Sequence, residues 1–186
     1  MSKKIAIIGS GSTGKTTLIN EVQRRTGCNV VPEIIRELVK ELGLEHLENL
    51  TPEETVNLEK ELLRRKIELE SRMDSFIADR STLDNLAYTL INSRRVFPKD
   101  ELFEFTQTCI THTKNTYDHI IFLPFLEIPF VDDGFRLPIS DEILCNFALL
   151  GMLESEHISY ISYDGKEMSS LEARVNAVID LMNKGY

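Results

Sequence analysis

The sequence predicts an α/β protein of three layers, with a central, mainly parallel five-stranded sheet flanked by helices, and three observations predict it. Five short runs rich in β-branched or aromatic residues have the length and composition of buried strands: Ile5 to Ile8, Asn29 to Val31, Ser75 to Ala78, His119 to Leu123 and Ile158 to Ser162. Helical periodicity fills the gaps between them, and a strand followed by a helix must cross over before the next strand, which makes the strands parallel and covers both faces of the sheet. At 186 residues and 42% hydrophobic content, the chain has the size of one domain and enough apolar mass for its core. No internal repeat or Pro/Gly-rich linker divides it, so residues 1–186 are expected to form a single domain.

The first strand pattern starts directly after Met1-Ser-Lys-Lys4, and the longest apolar run, Ile120 to Leu123, stops at Pro124, far short of a membrane span. Neither export nor membrane anchoring is therefore expected. Cys28, Cys109 and Cys145 are widely spaced without a C-x-x-C pair, which suggests neither a disulfide framework nor a zinc site, and a cytoplasmic location is expected. His46, His112, His119 and His157 do not have ligand spacing and are expected at the surface or at strand ends. Two helix starts are legible as capping boxes, Thr51-Pro52-Glu53-Glu54 and Ser169-Ser170-Leu171-Glu172. After the first, Val56, Leu63, Ile67 and Leu62, Leu69, Met73 recur at helical spacing, while the intervening Glu, Lys and Arg alternate in sign and predict a solvated, salt-bridged face. The net charge of -9 works against a large phosphate-backbone footprint, so a small-molecule partner is favoured over nucleic acid; a homodimer is left open.

The chemistry is concentrated where strands end. Gly9-Ser10-Gly11-Ser12-Thr13-Gly14-Lys15-Thr16, followed by Thr17, matches G-x-x-x-x-G-K-[ST] between an apolar strand and a helix that starts near Lys15. Glycines at those places let backbone N–H groups converge on phosphate oxygens, and the helix adds its positive dipole end. Lys15 would reach the β- and γ-phosphates of ATP, and the Thr16 hydroxyl would coordinate Mg²⁺. The fold expected is therefore that of the P-loop NTPases. Ser75-Phe-Ile-Ala-Asp79-Arg80 ends a strand in an acid; Asp79 would hold Mg²⁺ or take the acceptor's proton, since both tasks need a carboxylate near the γ-phosphate. Arg80 would clamp a phosphate, orient the acceptor, or pair with a neighbouring acid. Asp84 stands three residues after Ser81, as a capping pair or a substrate contact.

Three further segments are candidates for the acceptor side. Glu33 and Arg36 follow the second strand three residues apart, either as a local ion pair or as groups that hold substrate. Tyr88 lies one turn beyond Asp84, within reach of a substrate ring or as part of an apolar helix. Asp132, Asp133, Gly134 and Arg136 share one loop after the fourth strand, the composition of a lid whose Arg136 would stabilise the transferring phosphoryl group.

Together these segments resemble a known group: the phosphate loop, Val-Pro-Glu with Arg36, Asp-Arg-Ser with Leu83-Asp84 and Ala87-Tyr88, and Val-Asp-Asp-Gly-Phe-Arg. The chain is similar, from Lys4 to about Met182, to the P-loop ATPase/kinase family that includes the nicotinamide riboside kinase module of bifunctional bacterial NAD regulators. It departs from that module at Phe130, where tryptophan is expected. The resemblance implies a nucleoside or nucleotide kinase-like phosphotransferase that uses ATP and Mg²⁺, with nicotinamide riboside, a nucleoside or a nucleotide as acceptor. Related kinases that act on hydroxymethyl bases in DNA keep a nucleic-acid acceptor as an alternative. Of the rival readings, a GTPase switch lacks its base-reading motif, since Asn115-Thr-Tyr-Asp118 has no lysine and precedes its strand. A partner-driven ATPase would show an acid pair at the strand end, and here Arg80 follows Asp79.

Overall fold

The computed structural model describes residues 3–43, 49–125, 138–164, 168 and 170–184. Its five strands are β1 (Lys4–Ile8), β2 (Val30–Val31), β3 (Phe76–Asp79), β4 (His119–Phe122) and β5 (Ile161–Ser162). The helices are α1 (Lys15–Thr26), α2 (Ile35–Glu41), α3 (Pro52–Ser71), α4 (Thr82–Tyr88), α5 (Lys99–Thr116), α6 (Ile139–Ser155) and α7 (Leu171–Asn183), with a π-helical turn over Thr89–Ser93. The strand order is β2-β3-β1-β4-β5, and every pairing is parallel.

The period of two along β1 sorts the helices into layers. Ile5 and Ile7 pack with Leu18, Ile19 and Val22 of α1 and with Val175 and Val178 of α7. Ala6 and Ile8 face the other way, onto Leu83 and Ala87 of α4 and Cys145, Leu149 and Leu153 of α6. Strand β1 is thus buried on both faces, as the middle strand of a doubly covered parallel sheet must be, and each buried Ile contributes about 1.5 to 3 kcal/mol. Beyond α4, Val56 and Leu63 of α3 meet Phe105 and Cys109 of α5 around Leu86. No described helix is long and apolar enough to cross a membrane.

Two local expectations shift. Strand β5 starts at Ile161 rather than Ile158, because the Ile158 N–H bonds back to the Leu153 carbonyl (2.9 Å) after a left-handed turn at His157 (φ 54°) and still belongs to the end of α6. Thr51 caps α3 with the expected reciprocal box to Glu54. Helix α7 is capped by Ser170, whose hydroxyl accepts from Ala173 N (3.1 Å), so the cap lies one residue later than expected and alanine has nothing to return.

The charged face of α3 is only partly solvated. Arg64 and Arg65 pair with Glu61 and Glu68 at the surface, as the alternation predicts. Lys66 and Glu70 turn inward, 3% and 0% exposed, and Glu70 accepts from Tyr117 Oη (2.7 Å) and bonds His112 Nε2 (2.6 Å), with Lys66 Nζ 3.1 Å away. His112 is therefore part of a buried polar cluster rather than a surface histidine. The reason is tertiary: α5 and the approach to β4 cover this flank of α3, and only paired charges survive such burial.

Candidate functional site

Parallel pairing brings the C-terminal ends of β1, β3 and β4 to one edge. Ile7 is level with Asp79 and Ile8 with Phe122, so the chain leaves β1 between the ends of its two neighbours. At that exit Gly9 has φ 146°, and a Cβ there would sit 2.5 Å from the Leu123 carbonyl oxygen, so only glycine lets the loop pass. The loop reaches α1 with Ser12 also left-handed (φ 58°), strain of a kind that clusters at binding sites. The expected phosphate loop thus has the strand before it and the helix N-terminus behind it, and α1 has no side-chain N-cap.

Lys15 lies 5% exposed beneath the loop, donating to the carbonyls of Gly9 (2.7 Å) and Ser10 (2.6 Å) and to Thr13 Oγ1 (3.1 Å). Burial above all, helped by Arg80 and opposed by Asp79, Asp84 and Glu33, lowers its pKa to about 8. Thr16 and Thr17 are exposed on the first turn of α1, and Thr16 Oγ1 donates to Asp79 Oδ2 (2.7 Å). The other Asp79 oxygen, Oδ1, is buried without a hydrogen-bond partner among the described residues, and so is Ser10 Oγ. A buried carboxylate oxygen left over beside a threonine hydroxyl is a hard-oxygen donor set of the kind Mg²⁺ takes, so the residues fit that ion.

Arg80, directly after β3, is left-handed (φ 73°) and joins several of the predicted residues. Its Nε donates to Glu33 Oε1 (2.6 Å), one amino group donates to the Gly9 carbonyl (3.2 Å) and lies 3.7 Å from Asp84 Oδ1, and the guanidinium lies 4.7 Å from the centre of the Tyr88 ring. Burial pushes Glu33 up, but Arg80, with Lys15 and Arg36, outweighs it and leaves Glu33 below its ordinary value. Glu33 also lies 3.9 Å from Arg36, so its local pair exists beside a shorter bond across 47 residues.

Asp84 is fully buried and directed inward. It closes a capping box with Ser81 (2.7 Å to the Ser81 N–H) and also accepts from the Gly9 N–H (3.2 Å), tying the start of α4 to the start of the phosphate loop. Burial raises its pKa despite Arg80 and Lys15. Asp84 therefore builds the loop instead of reaching outward. Tyr88 combines the two readings given for it: its ring packs against the core residues of α4 and α6, while its hydroxyl points to the site. Asp132, Asp133 and Arg136 lie outside the described residues.

Glu142, in the first turn of α6, belongs to this site and was not singled out from the sequence. Its carboxylate accepts from the Gly11 N–H (2.5 Å) and from Tyr88 Oη (2.9 Å). An acid in a first turn reads in sequence as a complement to the helix dipole, and no linear spacing connects residue 142 with residue 11.

Comparisons agree with this architecture. A family model described as an AAA domain matches residues 4–167. A search of curated proteins finds no match. Among solved structures, deoxyadenosine kinase from M. mycoides with products dCMP and dCDP bound superposes with a TM-score of 0.69 at 12% identity, covering 97% of this chain and 98% of that one. NadR protein in complex with NR gives 0.73 at 19% identity, and with NAD and AMP-PNP 0.70 at 16%. The chain spans about half of those NadR chains, 52% and 51%.

Proposed function

The chain belongs to the AAA domain family, and we propose that within it this protein is an ATP- and Mg²⁺-dependent phosphotransferase acting on a nucleoside-type small molecule. The observation that carries the reading is the Thr16–Asp79 hydrogen bond with Asp79 Oδ1 left over beside the buried Lys15. Thr16 and Asp79 would hold Mg²⁺, which when bound neutralises charge on the β- and γ-phosphate oxygens. Lys15, tied to loop carbonyls, would turn onto the phosphates and stabilise the negative charge that develops as the γ-phosphoryl group transfers. Gly9 to Thr17 supply the backbone cradle.

With Asp79 engaged by Thr16, the acceptor side falls to Glu33. Its carboxylate is held as an anion by Arg80 and would accept the proton of the attacking hydroxyl, while Arg36 and Tyr88 contribute contacts to the acceptor. Asp132 and Asp133 are proposed to contact the acceptor, and Arg136 to stabilise the phosphoryl group. An acceptor of nucleoside type, nicotinamide riboside or a nucleoside or nucleotide, is supported by the likeness to a deoxyadenosine kinase and to NadR with NR bound. The net charge of -9 supports a small acceptor over nucleic acid.

The test is an ATP-dependent transfer assay against nicotinamide riboside, deoxynucleosides, deoxynucleoside monophosphates and DNA oligonucleotides, with product mass as the readout. A product heavier by one phosphoryl group is expected with one of the small acceptors. ADP and free phosphate alone, or turnover only after a protein partner is added, would replace this reading with a partner-dependent ATPase.

A further inference from the structure

Glu142 is 2% exposed, yet the two hydrogen bonds it accepts come from neutral donors, the Gly11 N–H and the Tyr88 hydroxyl. Among the described residues no cation pairs with it. It lies so close to the loop that a Cβ added to Gly11 would overlap its carboxyl group. The positive end of α6, a helix of 17 residues, favours the charge there, and burial, joined by Cys145 and Glu142, keeps the Tyr88 hydroxyl protonated as a donor.

A phosphate loop recognises anions through its backbone N–H groups. In this chain a side-chain anion already uses one of them. We propose that Glu142 is an internal competitor for the phosphate loop: nucleotide phosphates bind at the expense of its contact with Gly11, which sets nucleotide affinity below what the loop alone would give. Two like charges share a region with little water, so the carboxylate must swing away or α6 must shift as phosphates arrive. Because Tyr88 holds both Glu142 and the face presented to Arg80, and Arg80 holds Glu33, that movement is transmitted to the acceptor side. Nucleotide binding thereby loosens a contact of the acceptor pocket, which favours binding of the two substrates in a preferred order.

The inference rests on the nucleotide site proposed above, and calorimetric titration separates the two. Wild type, Glu142→Gln and Tyr88→Phe are titrated with Mg-ATP and with inorganic tripolyphosphate. Removing the charge in Glu142→Gln is expected to tighten both ligands by about tenfold, and Tyr88→Phe, which frees Glu142 without neutralising it, by a smaller factor. Equal tightening of tripolyphosphate ties the effect to the phosphates rather than to the base or to general loosening of the fold. Unchanged or weaker binding in Glu142→Gln, with wild type binding Mg-ATP, overturns the competitor and leaves the nucleotide site standing. If none of the three proteins binds either ligand, the nucleotide site and the competitor fall together.

Discussion

Two buried charged clusters in this molecule differ in one respect that separates function from structure. Between α3 and α5, Glu70 is buried with Lys66, His112 and Tyr117, and both of its carboxylate oxygens have partners at 2.6 to 3.1 Å. Around the phosphate loop the charges are more numerous, and not every buried polar atom there has a partner. Of the three buried side-chain polar atoms without a partner among the described residues, Ser10 Oγ and Asp79 Oδ1 lie there, the third being Tyr163 Oη. Left-handed φ values at Ser12 and Arg80 fall in the same region. A satisfied cluster holds the fold in one arrangement, whereas leftover acceptors and backbone strain persist where something else is to be bound. Burial and charge are common to both clusters; leftover acceptors and left-handed backbone coincide around the phosphate loop.

The sharpest way to break this contrast is to exchange the consequences of mutation. On the proposed reading, Lys15→Met should reduce transfer by a factor on the order of 10³ or more while the domain still folds, because the lysine would stabilise the charge that develops on the phosphoryl group. Normal turnover in that variant would remove the phosphate loop from the chemistry. Glu70→Ala should do the reverse. It leaves Lys66 buried without its anion and is expected to cost about 3 kcal/mol of stability in urea unfolding, with Mg-ATP affinity of the folded protein unchanged. A loss of nucleotide affinity at full stability would instead make the α3–α5 cluster part of the site. Asp79→Asn keeps an acceptor for Thr16 and would weaken the proposed metal donor. Turnover should drop on the order of 10² and need more Mg²⁺ for half-saturation; an unaltered Mg²⁺ requirement would free Asp79 from the metal.

The smallest effects concern pH. Burial raises Glu70, but Lys66, then His112 and Tyr117, outweigh it, so its folded pKa lies below the unfolded value. Such a group adds stability above the unfolded pKa and loses it as the pH falls through the folded one. Glu59 behaves oppositely. Burial raises its pKa, and hydrogen bonds from Ser93 and Thr89 do not offset that. Its contribution is full below the unfolded pKa and is lost as the pH rises through the folded value. Glu59→Gln, which keeps the contact to the π-helical turn, should therefore stabilise the protein by about 1 kcal/mol at pH 7, and the gain should vanish in acid below the carboxylate range. Equal Tm differences at both pH values would show that burial does not shift Glu59 between the unfolded and folded states.

Most features encoded over short separations are legible in neighbouring residues; the start of β5 and the α7 cap, one residue later than expected, are the exceptions. The alternation of apolar strands with helical periods gives a parallel sheet, and the phosphate loop follows from eight consecutive residues whose spacing has one chemical use. The Thr51 cap and the Ser81–Asp84 box are equally local, as is the acid at the end of β3. Tertiary structure decided where chains far apart in sequence meet. Asp84 had two readings until the Gly9 N–H, 75 residues away, joined it to the loop. Glu33 had a partner three residues on, yet its shorter bond is to Arg80. Lys66 and Glu70 follow the charge alternation of a solvated face and His112 is expected at the surface or a strand end; only the packing of α5 against α3 turns the three into an interior cluster. Glu142 was invisible for the same reason: its role depends on a contact across 131 residues, which α6 makes by packing beside α4. Local hydrogen bonds and periodicity are written in neighbouring residues, whereas the pairing of buried charges is set by which surfaces the hydrophobic layers press together.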